Sequence, residues 1–168
     1  MRPWTVVACV LAATAASGCT GAGEVRVPSR PPRPVEDVDE IIVQLTPPTA
    51  VNWDNLPGPD GLQAQIHFFR LDEDLAVTIA GTLEMALYEG RAGPREIERQ
   101  PPLRVWKYEG DGLRRRLAKT LVGWGYGVRL GWGDRCPKSG SVTLLARYHS
   151  PSGGTKTSET IHVPLGPK

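Results

Sequence analysis

The chain has 168 residues and a formal net charge of +2, long enough for one domain with a real core. A near-neutral balance without a basic stripe excludes a nucleic-acid binder, and three cysteines, Cys9, Cys19 and Cys136, give no disulfide framework. Glycine (19) and proline (16) are abundant, which suits a small all-β domain with many turns better than a helical one.

The chain opens MRPWTVVACVLAATAASGC. Arg2 is a positive n-region. Residues 5–16 form an apolar run that is too short to span a membrane, which takes about 20 apolar residues, but fits the h-region of a secretory signal. Ala16-Ser17-Gly18-Cys19 resembles the bacterial lipobox, with Ala16 where that motif usually has leucine. The resemblance implies a lipoprotein signal peptide over 1–18, cleavage before Cys19, and a diacylglycerol on the Cys19 thiol. Ordinary secretion with cleavage at a nearby A-x-A site is the alternative. With the leader gone, Cys9 and Arg2 are removed and Cys136 is the remaining free thiol. Several acyl chains on Cys19 would hold firmly, because one chain alone binds only marginally. The implied location is the cell envelope, on the periplasmic or surface face of a membrane.

Residues 19–34 carry no apolar periodicity. Pro28, Pro31, Pro32 and Pro34 favour extended polyproline II, a semi-rigid spacer of ~3.1 Å per residue. This stretch reads as a solvated tether, with Arg26, Arg30 and Arg33 available to anionic headgroups. The folded domain, 35–168, starts near Val35.

From there alternation with period two marks half-buried strands. Ile41, Val43 and Leu45 share a face until Pro47-Pro48 stops the strand. Leu62, Ala64, Ile66 and Phe68 share another, with Gln63, Gln65 and His67 opposite. A longer run, Val77 to Leu87, has Gly81 in its middle, which marks a bend, a bulge or a break into two strands. Trp106 with Tyr108, then Val142 to Tyr148, then Ile161 with Val163 complete the set. Turn signals separate them at 56–61, 89–94, 136–140 and 150–154. Leu113, Leu117 and Leu121 recur every four residues behind Asp111, predicting one short amphipathic helix near 111–121 whose solvated face holds Arg114, Arg115, Arg116 and Lys119. The fold class is therefore all-β: a two-sheet antiparallel sandwich, Ig-like or transthyretin-like, with one short helix.

Residues 123–133, GWGYGVRLGWG, alternate strictly. Trp124, Tyr126, Val128, Leu130 and Trp132 fall on one face; Gly125, Gly127, Arg129 and Gly131 fall on the other. A phosphate loop would need a strand-to-helix junction after its glycines, and here a helical pattern comes before them. Two readings stand. The aromatics fill the core, which the presence of Val128 and Leu130 in the same row favours, or Trp124, Tyr126 and Trp132 form an exposed strip that stacks on sugars. In the first reading the glycine face is a shallow groove. Gly125, Gly127, Arg129 and Gly131 are then the candidate partner-binding residues.

No catalytic constellation emerges. The histidines, at 67, 149 and 162, show no metal-ligand spacing. Asp72-Glu73-Asp74 lacks the spaced acceptors of a calcium loop and reads as a solvated turn. Lys138-Ser139-Gly140 has no S-x-x-K nucleophile beside it and reads as a hairpin turn. Cys136, next to Arg135, has no resolving cysteine. No cofactor or metal is expected.

Two family resemblances rest on quoted stretches. Cys19, GTLEMALYEG (81–90), WGYGVRLGWG and SVTLLARYHSPSGG (141–154) resemble the uncharacterised small lipoproteins of planctomycete-type bacteria, a family that implies no activity. The lipobox, the length and NWDNLPGPDGLQAQIHFFRL (52–71) are similar to the transthyretin-like lipoprotein of type VI secretion, which implies a role in assembling a membrane complex. The expectation is a non-enzymatic envelope lipoprotein. It would be anchored to a membrane through acylated Cys19, with a sandwich that binds or scaffolds an envelope protein or glycan. The alternative is a carbohydrate or peptidoglycan module using exposed aromatics.

Overall fold

The structure, a computed structural model, describes residues 26–54 and 57–165. Its nine strands, among the described residues, are β1 (Glu40–Val51), β2 (Gly61–Phe69), β3 (Thr82–Glu89), β4 (Arg104–Tyr108), β5 (Leu117–Thr120), β6 (Gly123–Gly131), β7 (Ser141–His149), β8 (Thr155–Thr157) and β9 (Ile161–Pro164). Two short helices, α1 (Pro94–Arg99) and α2 (Gly110–Arg114), interrupt them. One sheet has the order β1-β2-β6-β5. The other runs β4-β3-β7, with β8 and β9 sharing the far side of β7. All pairings between these strands are antiparallel, so the chain is a two-sheet sandwich.

The alternation explains the layers. Leu62, Ala64, Ile66 and Phe68 on β2 face Leu83, Met85 and Leu87 on β3 and Val142, Leu144, Ala146 and Tyr148 on β7 across one continuous core. Each such fully buried aliphatic side chain contributes about 1.5–3 kcal/mol. Phe68 sits edge-on to Tyr126 at 5.8 Å and to Tyr148 at 5.7 Å. The buried Tyr126 hydroxyl accepts the Ile79 backbone N–H at 2.9 Å. Burial raises its pKa to about 12, against the lowering effect of that hydrogen bond; the nearby Tyr148 adds to the rise.

Three sequence expectations need correction, and at Gly81 the break that the sequence allowed is the one found. The helix over 111–121 is only α2, and Leu117–Thr120 is the edge strand β5. Leu113, Leu117 and Leu121 do not share one fate: Leu113 is buried, Leu117 is half-buried and Leu121 is exposed. Pairing with β6 gives the Leu117–Thr120 backbone its partners, and that outweighs a weak four-residue repeat of leucines. Pro47-Pro48 does not stop β1. The strand shifts register between Leu45 and Ala50 and continues, which an edge strand tolerates because its outer side requires no N–H. The turn at 89–94 leads into α1, entered through Pro94 in the first turn. Ile97 of α1 packs with Ala92 on Ala86, Tyr88 and Leu145, covering part of the outer face of the β3–β7 sheet. The run from Val77 to Leu87 is broken at Gly81, where a β-carbon would lie 2.0 Å from the His149 carbonyl oxygen.

Residues 26–34 lie along the domain. The Thr78 hydroxyl donates to the Pro32 carbonyl at 3.0 Å, and the Trp124 indole N–H donates to the Pro28 carbonyl at 3.3 Å. Val35 then bridges to Ile79 through two backbone hydrogen bonds with Thr78 and Ala80.

Candidate functional site

On β6 the large row divides at its first member. Tyr126, Val128, Leu130 and Trp132 are buried in the core, whereas Trp124 is half-buried beside Pro28. Tyr126 and Trp132 are therefore no part of an exposed aromatic strip. The glycine row faces outward on the β1-β2-β6-β5 sheet. Register sets its neighbours on β2: Gln65 is opposite Gly127, Gln63 opposite Arg129, and Gly61 opposite Gly131.

The four candidate residues do not form a uniform groove. Gly125 is buried beneath His67 and Gln65, whose atoms lie 2.7–2.9 Å from where its β-carbon would be. Gly131 is half-buried beneath the Trp53 indole, 3.3 Å from its missing β-carbon. Gly127 and Arg129 are exposed. The open part of the face is thus a bare backbone window at Gly127, bordered by Gln65 and the Arg116 carbonyl, with Arg129 two residues along the strand. Gln65 turns its Oε1 to this window, 3.7 Å from where a β-carbon on Gly127 would be, while its Nε2 is buried over Gly125 with no hydrogen-bond acceptor among the described residues, and leaving such a donor unmade costs about 1–3 kcal/mol.

Trp53 is the outward aromatic that alternation on the strands could not reveal. Its loop is pinned by Asp60, whose carboxylate accepts the backbone N–H groups of Trp53 and Asp54. The ring is 37% exposed, covers Gly61, and has the Arg129 guanidinium 6.0 Å from its centre. Glycine at 61 and 131 is what lets the indole approach the sheet so closely.

His67 closes the other end. Its Nε2 is 3.1 Å from the Thr120 hydroxyl, which itself donates to the Gly123 carbonyl. The hydroxyl proton is committed, so His67 Nε2 carries a hydrogen. Burial holds its pKa below the usual imidazole value.

A second cluster lies on the outer face of the other sheet. Glu84 is 2.9 Å from Arg147, 3.4 Å from Lys107 and 3.5 Å from His149, and Arg147 also donates to the Tyr88 hydroxyl at 2.8 Å. Burial would raise the Glu84 carboxyl, but hydrogen bonds from Arg147 and Lys107 outweigh it and hold it below the usual carboxylate range. The cluster needs the register of β3 with both β4 and β7, so no local motif announces it; the outward position of Glu84 was its only sequence signal.

The remaining sequence candidates are dispersed. His162 binds the Thr143 hydroxyl through Nδ1 at 2.9 Å, away from His67. Asp72 pairs with Arg70 at 2.7 Å on an exposed turn. Lys138 and Ser139 donate their backbone N–H groups to Glu89. Cys136 is exposed, its thiol 3.6 Å from the Gly133 carbonyl oxygen. Among the described residues no group of three or more His, Cys, Asp or Glu could hold a metal, and no helix is long and apolar enough to cross a membrane. Cys19, the signal segment 1–18 and the first part of the tether, 19–25, lie outside the described residues. Neither a family model, nor a curated protein, nor a solved structure matches this chain.

Proposed function

We propose that the protein is a non-enzymatic envelope lipoprotein, anchored through Cys19, whose sandwich binds another envelope component on the outer face of the β1-β2-β6-β5 sheet. The observation that carries the binding reading is the window at Gly127. Bare backbone is exposed there beside exposed Arg129 and the Gln65 amide oxygen. A partner that presented an N–H or O–H group could donate to that oxygen. The lipobox-like Ala16-Ser17-Gly18-Cys19 supports the anchor.

The test is site-specific photocrosslinking in cells. Benzoylphenylalanine in place of Gly127 should give a discrete adduct with one envelope component. The same residue in place of Arg91, exposed on the turn before α1, should give none. Equal labelling at both positions would sink the proposal.

A glycan as the partner is favoured by one further observation, the half-exposed Trp53 ring packed on Gly61 beside Arg129. Aromatic faces stack on the apolar faces of sugar rings, and guanidinium and amide groups donate to their hydroxyls. Soluble peptidoglycan fragments should then quench or shift indole emission in the native protein and leave a Trp53→Phe variant much less responsive. No response at millimolar fragment would leave a protein as the partner.

A further inference from the structure

The turn between β5 and β6 consists of Leu121 and Val122, with Thr120 paired to Gly123 across it. Leu121 is 97% exposed and Val122 46%. Two-residue hairpin turns favour Asn, Asp and Gly, which accept the backbone angles such turns require. A Leu-Val pair serves no such need, and the Leu121 side chain buries almost nothing in the domain. The charges on its own strands are all of one sign, whereas Glu73 of the neighbouring loop lines the same cavity as Gly123 and Trp124. Between Asp111 and Asp134 the chain has no acidic residue and five basic ones: Arg114, Arg115, Arg116, Lys119 and Arg129.

The position of this turn is tied to the N-terminal segment. Trp124, three residues from Leu121, donates its indole N–H to the Pro28 carbonyl, and Val122 accepts the Ala76 N–H at 2.8 Å. Pro28, Arg33, Leu75, Gly123 and Trp124 border one cavity of ≈ 140 Å³. The N-terminal segment therefore meets the domain at the turn's own end. Cys19 precedes Arg26 by seven residues, and a chain of that length spans at most about 25 Å even when fully extended.

We infer that the Leu121–Val122 turn is a membrane contact. On the lipoprotein reading, on which this inference rests, the anchor holds this end of the sandwich within a short leash of the bilayer. The two apolar side chains then enter the headgroup boundary while Lys119, two residues before Leu121, and Arg33, which lines the cavity at Gly123 and Trp124, meet anionic lipid. Two residues give little affinity by themselves. Their effect is orientation, standing β6 on end so that Cys136, beyond its far terminus, faces away from the lipid. The neighbouring loop is a poorer contact: Leu71 is exposed too, but Asp72, Glu73 and Asp74 follow it.

The test uses the full mature protein in vesicles of phosphatidylethanolamine and phosphatidylglycerol. An environment-sensitive fluorophore is placed on Leu121→Cys in a Cys136→Ser background, or on native Cys136. Intact mass first establishes whether Cys19 is acylated. The expected result is a blue shift and quenching by nitroxide-labelled lipid at position 121, with water-like emission at 136. Water-like emission at 121 in an acylated protein overturns this inference and leaves the lipoprotein reading standing. A blue shift at 121 that needs protein concentration but no lipid overturns it in favour of contact between copies. An unacylated N-terminus overturns both readings.

Discussion

The His67 imidazole lies across Gly125 so closely that a β-carbon on Gly125 would stand 2.7 Å from His67 Cδ2. Strands β2 and β6 are adjacent, and the glycine makes room for a ring that would otherwise have to leave the sheet. Glycine therefore does different work along β6. At Gly125 it makes room for a neighbour's side chain, and at Gly127 it leaves the backbone open. An alanine at Gly127 would meet Gln65 Oε1 at 3.7 Å, an ordinary contact.

Alanine substitutions should separate these two roles. Gly125→Ala forces the buried His67 ring off Thr120 and should cost about 1–3 kcal/mol. Gly127→Ala should change stability by less than about 0.5 kcal/mol. Urea midpoints of the two variants decide this; equal losses would show that Gly127 is as tightly covered as Gly125.

The Glu84 cluster should appear in the pH dependence of stability. The folded carboxyl titrates below its ordinary value of 4.5. Its contribution is complete above that value and is lost as pH falls through the lower, folded pKa. Glu84→Gln should cost about 1–3 kcal/mol at pH 7 and nothing once the carboxyl is protonated. A loss that persists undiminished in acid would show that packing, not charge, holds the site.

His67 adds a second acid-sensitive limb for a different reason. Burial lowers the folded pKa below 6.5, so the unfolded chain takes up the proton first. Stability from this group is complete above 6.5 and falls with pH until the folded imidazole also titrates. His67→Gln should flatten the stability profile in that window, as read from thermal midpoints. An unchanged slope would place the titration elsewhere.

The two tryptophans at the far end of β6 should behave oppositely. Trp132 is 1% exposed, and Trp132→Ala should cost about 3–5 kcal/mol. Trp53 lies outside the core and is 37% exposed, so Trp53→Phe should cost less than about 1 kcal/mol. Iodide quenching should fall more on Trp53→Phe than on a Trp132→Phe control.

The sandwich was legible wherever one face of a strand is buried. On β2 and on β6 from Tyr126 onward, large residues alternate with small or polar ones, and period two carries that directly. Legibility failed where pairing overrode a local pattern. Leu113, Leu117 and Leu121 look helical in isolation, but the edge of β6 offered Leu117–Thr120 a ladder. It failed again where function would depend on distant register. Glu84 meets Arg147 across 63 positions of chain, and Trp53 reaches the glycine row only because Asp60 folds its loop back. The Pro28 and Pro32 carbonyls bind side chains of the domain, and a proline-rich composition says nothing of that.

The contacts of residues 28–36 also have a mechanical meaning. A pull on the N-terminal side of the domain first meets the Trp124–Pro28 and Thr78–Pro32 hydrogen bonds, then the Val35–Ile79 bridge. Behind these the Tyr148 hydroxyl grips the Glu36 carbonyl at 2.7 Å from the opposite sheet. Load is thus shared between both sheets before any of it reaches β1, the strand that would otherwise peel first from its edge. A domain that is tugged by its leash yields in steps, segment before strand.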